Sequence, residues 1–248
     1  MSEDTSPKRD DLYAKALGPV PDFAFDESVA RVFPDMIRRS VPGYTTIIPM
    51  LELIAHRYYQ VNTVAYDLGC SLGASTLAVR HGLKQHPDAK IIAIDNSEAM
   101  LEKCNHYIEL DNAPTPVELV CQDIDNVQYE KASVIVLNFT LQFIPLEKRS
   151  QLLARLNKSM VPGGVLVLSE KVRSEQSTTQ AALTSLHEDF KRANGYSDLE
   201  ISQKRSAIEN VLIPETLSDH QTRLTNAGFS AIHTWYQCFN FISLIAVK

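Results

Sequence analysis

The chain has 248 residues, 44% hydrophobic and 22% charged, enough to bury one sizeable α/β core. Its net charge of −6 argues against a surface that grips nucleic acid directly, while leaving room for a local basic pocket. No apolar run reaches the roughly 18–20 residues that cross a bilayer, the charged start MSEDTSPKRDDLY has no signal core, and Cys70, Cys104, Cys121 and Cys238 form no CxxC pair. A cytoplasmic protein with reduced thiols, no membrane contact and no metal is expected.

Residues 1–20 are polar and aperiodic and predict a flexible tail, leaving 21–248 as one domain. Over 22–43, apolar anchors such as Phe23, Phe25, Val32, Phe33 and Met36 among charges predict short helices packed over something. A helix follows over 44–59, with Ile47, Leu51, Ile54 and Ala55 on one face.

An alternation of strands and helices then begins. Strands are predicted over 64–68, 90–94, 117–121, 132–137 and 165–169, with helices over 75–84, from a Ser97 cap to 108, and over 146–160. Pro162-Gly163-Gly164 reads as the turn into the fifth strand. Short buried strands alternating with helices predict a parallel, doubly wound, Rossmann-like sheet. Residues 171–213 interrupt the pattern as two or three polar helices inserted after the fifth strand. A helix from Pro214 to about 227 and two strands over 231–237 and 239–247 complete the chain, the last two close enough for an antiparallel hairpin.

Ligands of such sheets bind beyond the carboxyl ends of the strands. Four successive strand ends here carry Asp67, Asp95, Asp123 and Asn138. Asp67-Leu68-Gly69-Cys70-Ser71-Leu72-Gly73 forms a tight strand-to-helix turn whose glycines serve the turn geometry and let backbone approach a ligand. Ser71 stands where a dinucleotide fingerprint has its second glycine, and an acid before the first glycine suits a zwitterionic amino-acid ligand better than a pyrophosphate. That favours S-adenosylmethionine (SAM) over NAD. Asp95, with Asn96 beside it, can accept both ribose hydroxyls; alternatively it is only a helix N-cap. The Asp123 carboxylate can accept from an adenine amino group while the Ile124 N–H donates to a ring nitrogen; alternatively it is a solvated loop acid.

The order DLGCSLGAST, IIAIDNS, CQDI, VLNFTLQFIP and PGGVLVLSEK resembles the class I SAM-dependent methyltransferases, whose sheet has seven strands with the last hairpin strand antiparallel. The chain lacks the (Asn/Asp)-Pro-Pro-aromatic run of base methylation, having Asn138-Phe139-Thr140 instead, and has no Pro-Cys or Thr-Cys nucleophile pair. The flanks, from Phe25 to Tyr44, from Lys204 to Val211 and from Trp235 to Phe241, resemble the carboxy-S-adenosyl-L-methionine synthase family. That resemblance implies SAM as a substrate, prephenate as the carboxyl donor, phenylpyruvate and water as co-products, and a tRNA carboxymethyltransferase that uses the product at the wobble uridine. It implies a homodimer as well. It places Tyr44 at the methionine end of the ligand, Asn138 near the sulfonium, and Arg205 on the new carboxylate, which an arginine fork suits. Gly69, Cys70 and Ser71 would supply the SAM-binding turn. Arg38, Arg39 and Arg173 are lesser candidates for the donor's carboxylates, and Trp235 and Phe239 read as core. Two alternatives stay open: a conventional methyltransferase acting on a small molecule or RNA, and a SAM-binding protein without turnover.

Overall fold

The computed structural model describes residues 8–248; residues 1–7 of the expected tail lie outside the described residues. From 8 to 26 the chain has no helix or strand, yet Asp10 is buried, accepting from Tyr196 and from Lys204 Nζ at 3.2 Å, and Leu17 N donates to Gln203 Oε1 at 2.6 Å. Segment 8–17 is thereby anchored to the insertion near the other end of the chain.

Seven strands form one sheet: β1 (Val64–Leu68), β2 (Lys90–Asp95), β3 (Val117–Cys121), β4 (Ala132–Asn138), β5 (Met160–Lys171), β6 (Ala231–Cys238) and β7 (Phe241–Val247). Their order is β3-β2-β1-β4-β5-β7-β6, and β7 alone runs opposite to the other six. Side chains alternate faces along each strand. Tyr66, Leu68, Ile135, Leu137, Leu166 and Leu168 pack on one face with Leu152, Leu156 and Leu224, from helices α5 (Leu146–Ser159) and α8 (Leu217–Asn226). Ala65, Val134, Val136, Val165 and Val167 pack on the other with Leu51, Ala55 and Val79, from α2 (Tyr44–Tyr58) and α3 (Ala74–Gly82). Both faces are covered, so the central strands are apolar throughout.

A third cluster lies beyond the strand ends. Helix α1 (Glu27–Ser40) sets Val29, Val32 and Met36 against Leu72, against Met100 of α4 (Glu98–Leu110) and against Ala207 of α7 (Asp198–Ile208). Of the anchors read as short helices, Val32, Phe33 and Met36 therefore lie on one helix, capped by Asp26, whose side chain accepts from Val29 N, and passing through Pro34, while Phe23 and Phe25 precede it outside any helix or strand. The insertion contributes two helices, α6 (Ser177–Ala193) and α7, the latter started by a Ser197/Glu200 capping box.

Two local expectations change. Pro162-Gly163-Gly164 is not a turn ahead of β5 but an irregularity within it: the register moves from Ala132↔Met160 to Val134↔Val165, with Gly163 at φ +76°. Helix α8 begins after Pro214, because Thr216 and Asp219 form its capping box.

The chain leaves β1 toward β2 and β3, then returns to β4 on β1's other side. This switch opens a crevice above the carboxyl ends of β1 and β4.

Candidate active site

A cavity of about 770 Å³ fills that crevice and extends beneath α1 and α7. Gly69, Cys70 and Ser71 supply one wall from the turn after β1. Asp95 and Asn96 follow β2, Asp123 and Ile124 follow β3, Asn138 ends β4, and Tyr44 opens α2. Nine of the eleven residues singled out in the sequence thus meet around one hollow.

The turn is rigid for identifiable reasons. Gly69 has φ +75°, and a Cβ there would lie 2.4 Å from Thr140 Cγ2. Thr140 Oγ1 in turn donates to Leu68 O at 2.8 Å. Ser71 takes φ +50°, and its N–H donates to Asp95 Oδ2 at 2.9 Å, while Ser97 N donates to Asp95 Oδ1 at 2.9 Å. Asp95 therefore ties the glycine turn to the start of α4. The α4 cap is supplied by Ser97, so Asp95 is not the N-cap. Burial raises the Asp95 carboxyl, and the N–H groups of Ser97, Ser71 and Asn96 oppose the shift.

Asn138 donates from Nδ2 to Ser75 Oγ at 3.2 Å, and its Oδ1 is buried without a partner among the described residues. Asp123 is exposed and caps a short 3₁₀ turn by accepting from Asp125 N at 2.8 Å; Ile124 behind it is buried. Burial, reinforced by the Asp67 charge, lifts the Tyr44 hydroxyl well above the usual phenol range. Contact with Cys104 and burial together raise the Cys70 thiol, keeping it protonated and unreactive.

Two of the eleven do not line the cavity. Asp67 is 1% exposed beneath the turn, bonded to Thr76 Oγ1 at 2.6 Å, and burial pushes its carboxyl up to about 7. Arg205, with a side chain 54% exposed, contacts Glu188 and borders a separate small hollow. Of the lesser candidates, Arg38 lines the cavity and pairs with Asp35 at 3.4 Å. Arg39 is buried against Asp35, Asn194 O and the Tyr196 ring. Arg173 lies 3.8 Å from Asp219.

The sequence reading passed over Lys204 as a cavity residue. Its Nζ bonds Asp10, Ser40 Oγ and Tyr196, and burial lowers its pKa to about 8. Only its place in the basic stretch Gln203-Lys204-Arg205 hinted at it. The apolar lining was also missed as a unit. Phe25, Phe33, Phe143, Ile144, Val211 and Leu212 make one side of the cavity hydrophobic, with Phe25 edge-on to Phe143 at 5.2 Å. The clustered aromatics of 22–43 were its visible half. Among the described residues no group of three or more His, Cys, Asp or Glu could hold a metal ion, and no helix is long and apolar enough to cross a membrane.

A family model described as a methyltransferase domain matches residues 65–164. The carboxy-S-adenosyl-L-methionine synthase of Marinobacter nauticus is 60% identical over 250 residues, covering 100% of this chain and 99% of that protein. The protein of the same name from Citrifermentans bemidjiense is 54% identical, covering 97% and 99%. Solved structures share the fold at lower identity. An O-methyltransferase family protein from Burkholderia thailandensis superposes with TM-score 0.64 at 16% identity, over 91% of this chain and 64% of that one. Human N-acetylserotonin methyltransferase in complex with SAM gives 0.59 at 16%, over 90% and 55%.

Proposed function

Because the chain belongs to the carboxy-S-adenosyl-L-methionine synthase family, we propose that it converts SAM and prephenate to carboxy-S-adenosyl-L-methionine, phenylpyruvate and water. The observation that carries this reading is the convergence of Tyr44, Asp95, Asp123 and Asn138 on a cavity with a polar floor and an apolar side. Asp95 accepts from the ribose hydroxyls, and Asp123 with the Ile124 N–H reads the adenine edge. Tyr44 and Asn138 hold the methionine end, where the unpartnered Asn138 Oδ1 can accept from the ligand. The apolar side suits a six-membered carbocycle and excludes water.

The chemistry asks little of an acid or base. A sulfonium acidifies its methyl C–H, since the carbanion is an ylide. Prephenate aromatises as it releases carbon dioxide and hydroxide. The hydroxide takes the methyl proton to give water, and the ylide carbon bonds to the carbon dioxide before it can escape. Proximity and exclusion of solvent are what the cavity has to supply.

Arg205 is proposed as the fork for the new carboxylate. Its exposure, and its position outside the cavity of its own chain, favour delivery to the neighbouring subunit of a homodimer. The product would pass to a tRNA carboxymethyltransferase, with this acidic protein itself not engaging the nucleic acid.

Mass spectrometry of the protein incubated with SAM and prephenate tests the proposal. A nucleoside heavier than SAM by one carbon dioxide, formed only with prephenate and reduced in Arg205→Ala, is the expected result. S-adenosylhomocysteine alone, with prephenate untouched, would point to a conventional methyltransferase and end the synthase reading.

A further inference from the structure

A second hollow, of about 60 Å³, lies where the end of β5 meets α6 and α7. Lys171 enters it from β5, His187, Glu188 and Lys191 from α6, Arg205 from α7, and Asn240 from the turn before β7. It shares the Ile208 wall with the large cavity but is lined by different polar groups.

Its charge is unbalanced. Glu188 is the one carboxylate in the lining, and Arg205 already occupies it, with Arg192 3.6 Å away on the other side. Among the described residues neither Lys171 nor Lys191 has a carboxylate within the 4.0 Å of an ion pair. His187 adds no compensation: its Nε2 meets Ser40 O at 2.8 Å, and burial holds the ring neutral by lowering its pKa to about 3. Asn240 is 1% exposed, and its side-chain oxygen, an acceptor, has no partner among the described residues.

Clustered, desolvated cations without a counterion are costly. The strain shows in both lysines. Burial, followed by the charges of Lys204 and Lys171, lowers the Lys191 pKa to about 7, and burial with the Arg205 charge lowers Lys171. An anion entering the hollow would neutralise both.

We infer that the hollow bounded by Lys171, Lys191 and Asn240 is a binding site for one carboxylate group of a small organic anion, distinct from the nucleoside site. Its volume fits a carboxylate and not a whole substrate. Its position across Ile208 from the large cavity makes a dicarboxylate the fitting ligand class, with one end in each hollow. That assignment of the ligand rests on the donor named under the proposed function; the anion site itself does not.

The experiment is calorimetric titration of the protein saturated with S-adenosylhomocysteine, which lacks the reacting methyl group, with prephenate, with phenylpyruvate and with inorganic phosphate. Wild type is compared with Lys171→Met, Lys191→Met and the double variant. Prephenate affinity is expected to fall about tenfold or more in each single variant, the loss of a charged hydrogen bond, while SAM affinity holds. Near pH 8, binding to wild type should take up a proton from buffer as Lys191 becomes fully charged, and Lys191→Met should abolish that uptake. Without ligand, the variants should melt at or above the wild-type temperature, because an uncompensated cation has been removed. Phosphate binding as tightly as prephenate, through the same lysines, would still assign an anion site but overturn the dicarboxylate as its ligand. Unchanged prephenate affinity in the double variant would overturn the site. So would a strong loss of stability or of the dimer, since either makes the lysines structural. Binding through Lys171 and Lys191, with no carboxylated nucleoside formed when SAM replaces S-adenosylhomocysteine, would remove the proposed activity and leave the site standing.

Discussion

Thr76 Oγ1 donates to Asp67 Oδ2 at 2.6 Å inside the core, and Asp67 Oδ1 has no partner among the described residues. Burial raises this carboxyl from 3.8 to about 7. The folded chain then holds a proton that the unfolded chain has released, so this residue's contribution to stability declines as pH rises from about 3.8 to about 7 and is level beyond. Glu170, raised from 4.5 to about 8, acts in the same sense. His187 and His220, lowered to about 3 and about 4, act in the opposite sense below their ordinary 6.5. The difference between variant and wild type therefore isolates the carboxyl. Asp67→Asn should flatten that part of the profile, as read from urea midpoints across this range. Parallel profiles would show that Asp67 titrates normally.

Gly69→Ala tests the turn. The new methyl would sit 2.4 Å from Thr140 Cγ2 on a backbone at φ +75°. A stability loss of about 1–3 kcal/mol is expected, together with a larger loss of SAM affinity, because the wall of the site moves. Wild-type melting and wild-type affinity together would mean the turn has slack.

Asp95→Asn removes a charge that accepts from both Ser71 N and Ser97 N. SAM affinity should drop roughly ten- to hundredfold, about 1.5–3 kcal/mol for a charged hydrogen bond. Titration calorimetry with SAM checks this. Equal affinity would confine Asp95 to holding the loop.

Arg149 is fully buried, bonded to Glu215 Oε2 at 2.5 Å and to the carbonyls of Ile144, Gln142 and Ile213. Arg149→Met leaves Glu215 with Arg223 as its remaining partner. A destabilisation of about 3–5 kcal/mol is expected in denaturant unfolding. A loss below about 1 kcal/mol would mean that Arg223 compensates fully.

The elements that could be read in advance are those whose signal is local. Strands β1 to β4 are short apolar runs, and α4 announces itself through Ser97. The site was legible for the same reason, because strand ends in this topology converge wherever the residues between them lie. Lys204 and Arg205 show the limit. They are neighbours in sequence, yet α7 sends one into the large cavity and the other toward Glu188, a division set by the helix's rotation against α1 and α6. Asp10 shows another limit. Nothing near it in sequence indicates burial, because its partners Tyr196 and Lys204 lie far along the chain.

The position of β7 has a consequence for how the chain matures. It lies between β5 and β6, within the sheet, but follows every other element in sequence. Until residues 241–247 have been synthesised, the hydrogen-bonding edge of β5 stays open and β6 has no strand to join. A nascent or prematurely stopped chain therefore offers a bare apolar edge to other polypeptides, which makes it a natural client for chaperones and proteases.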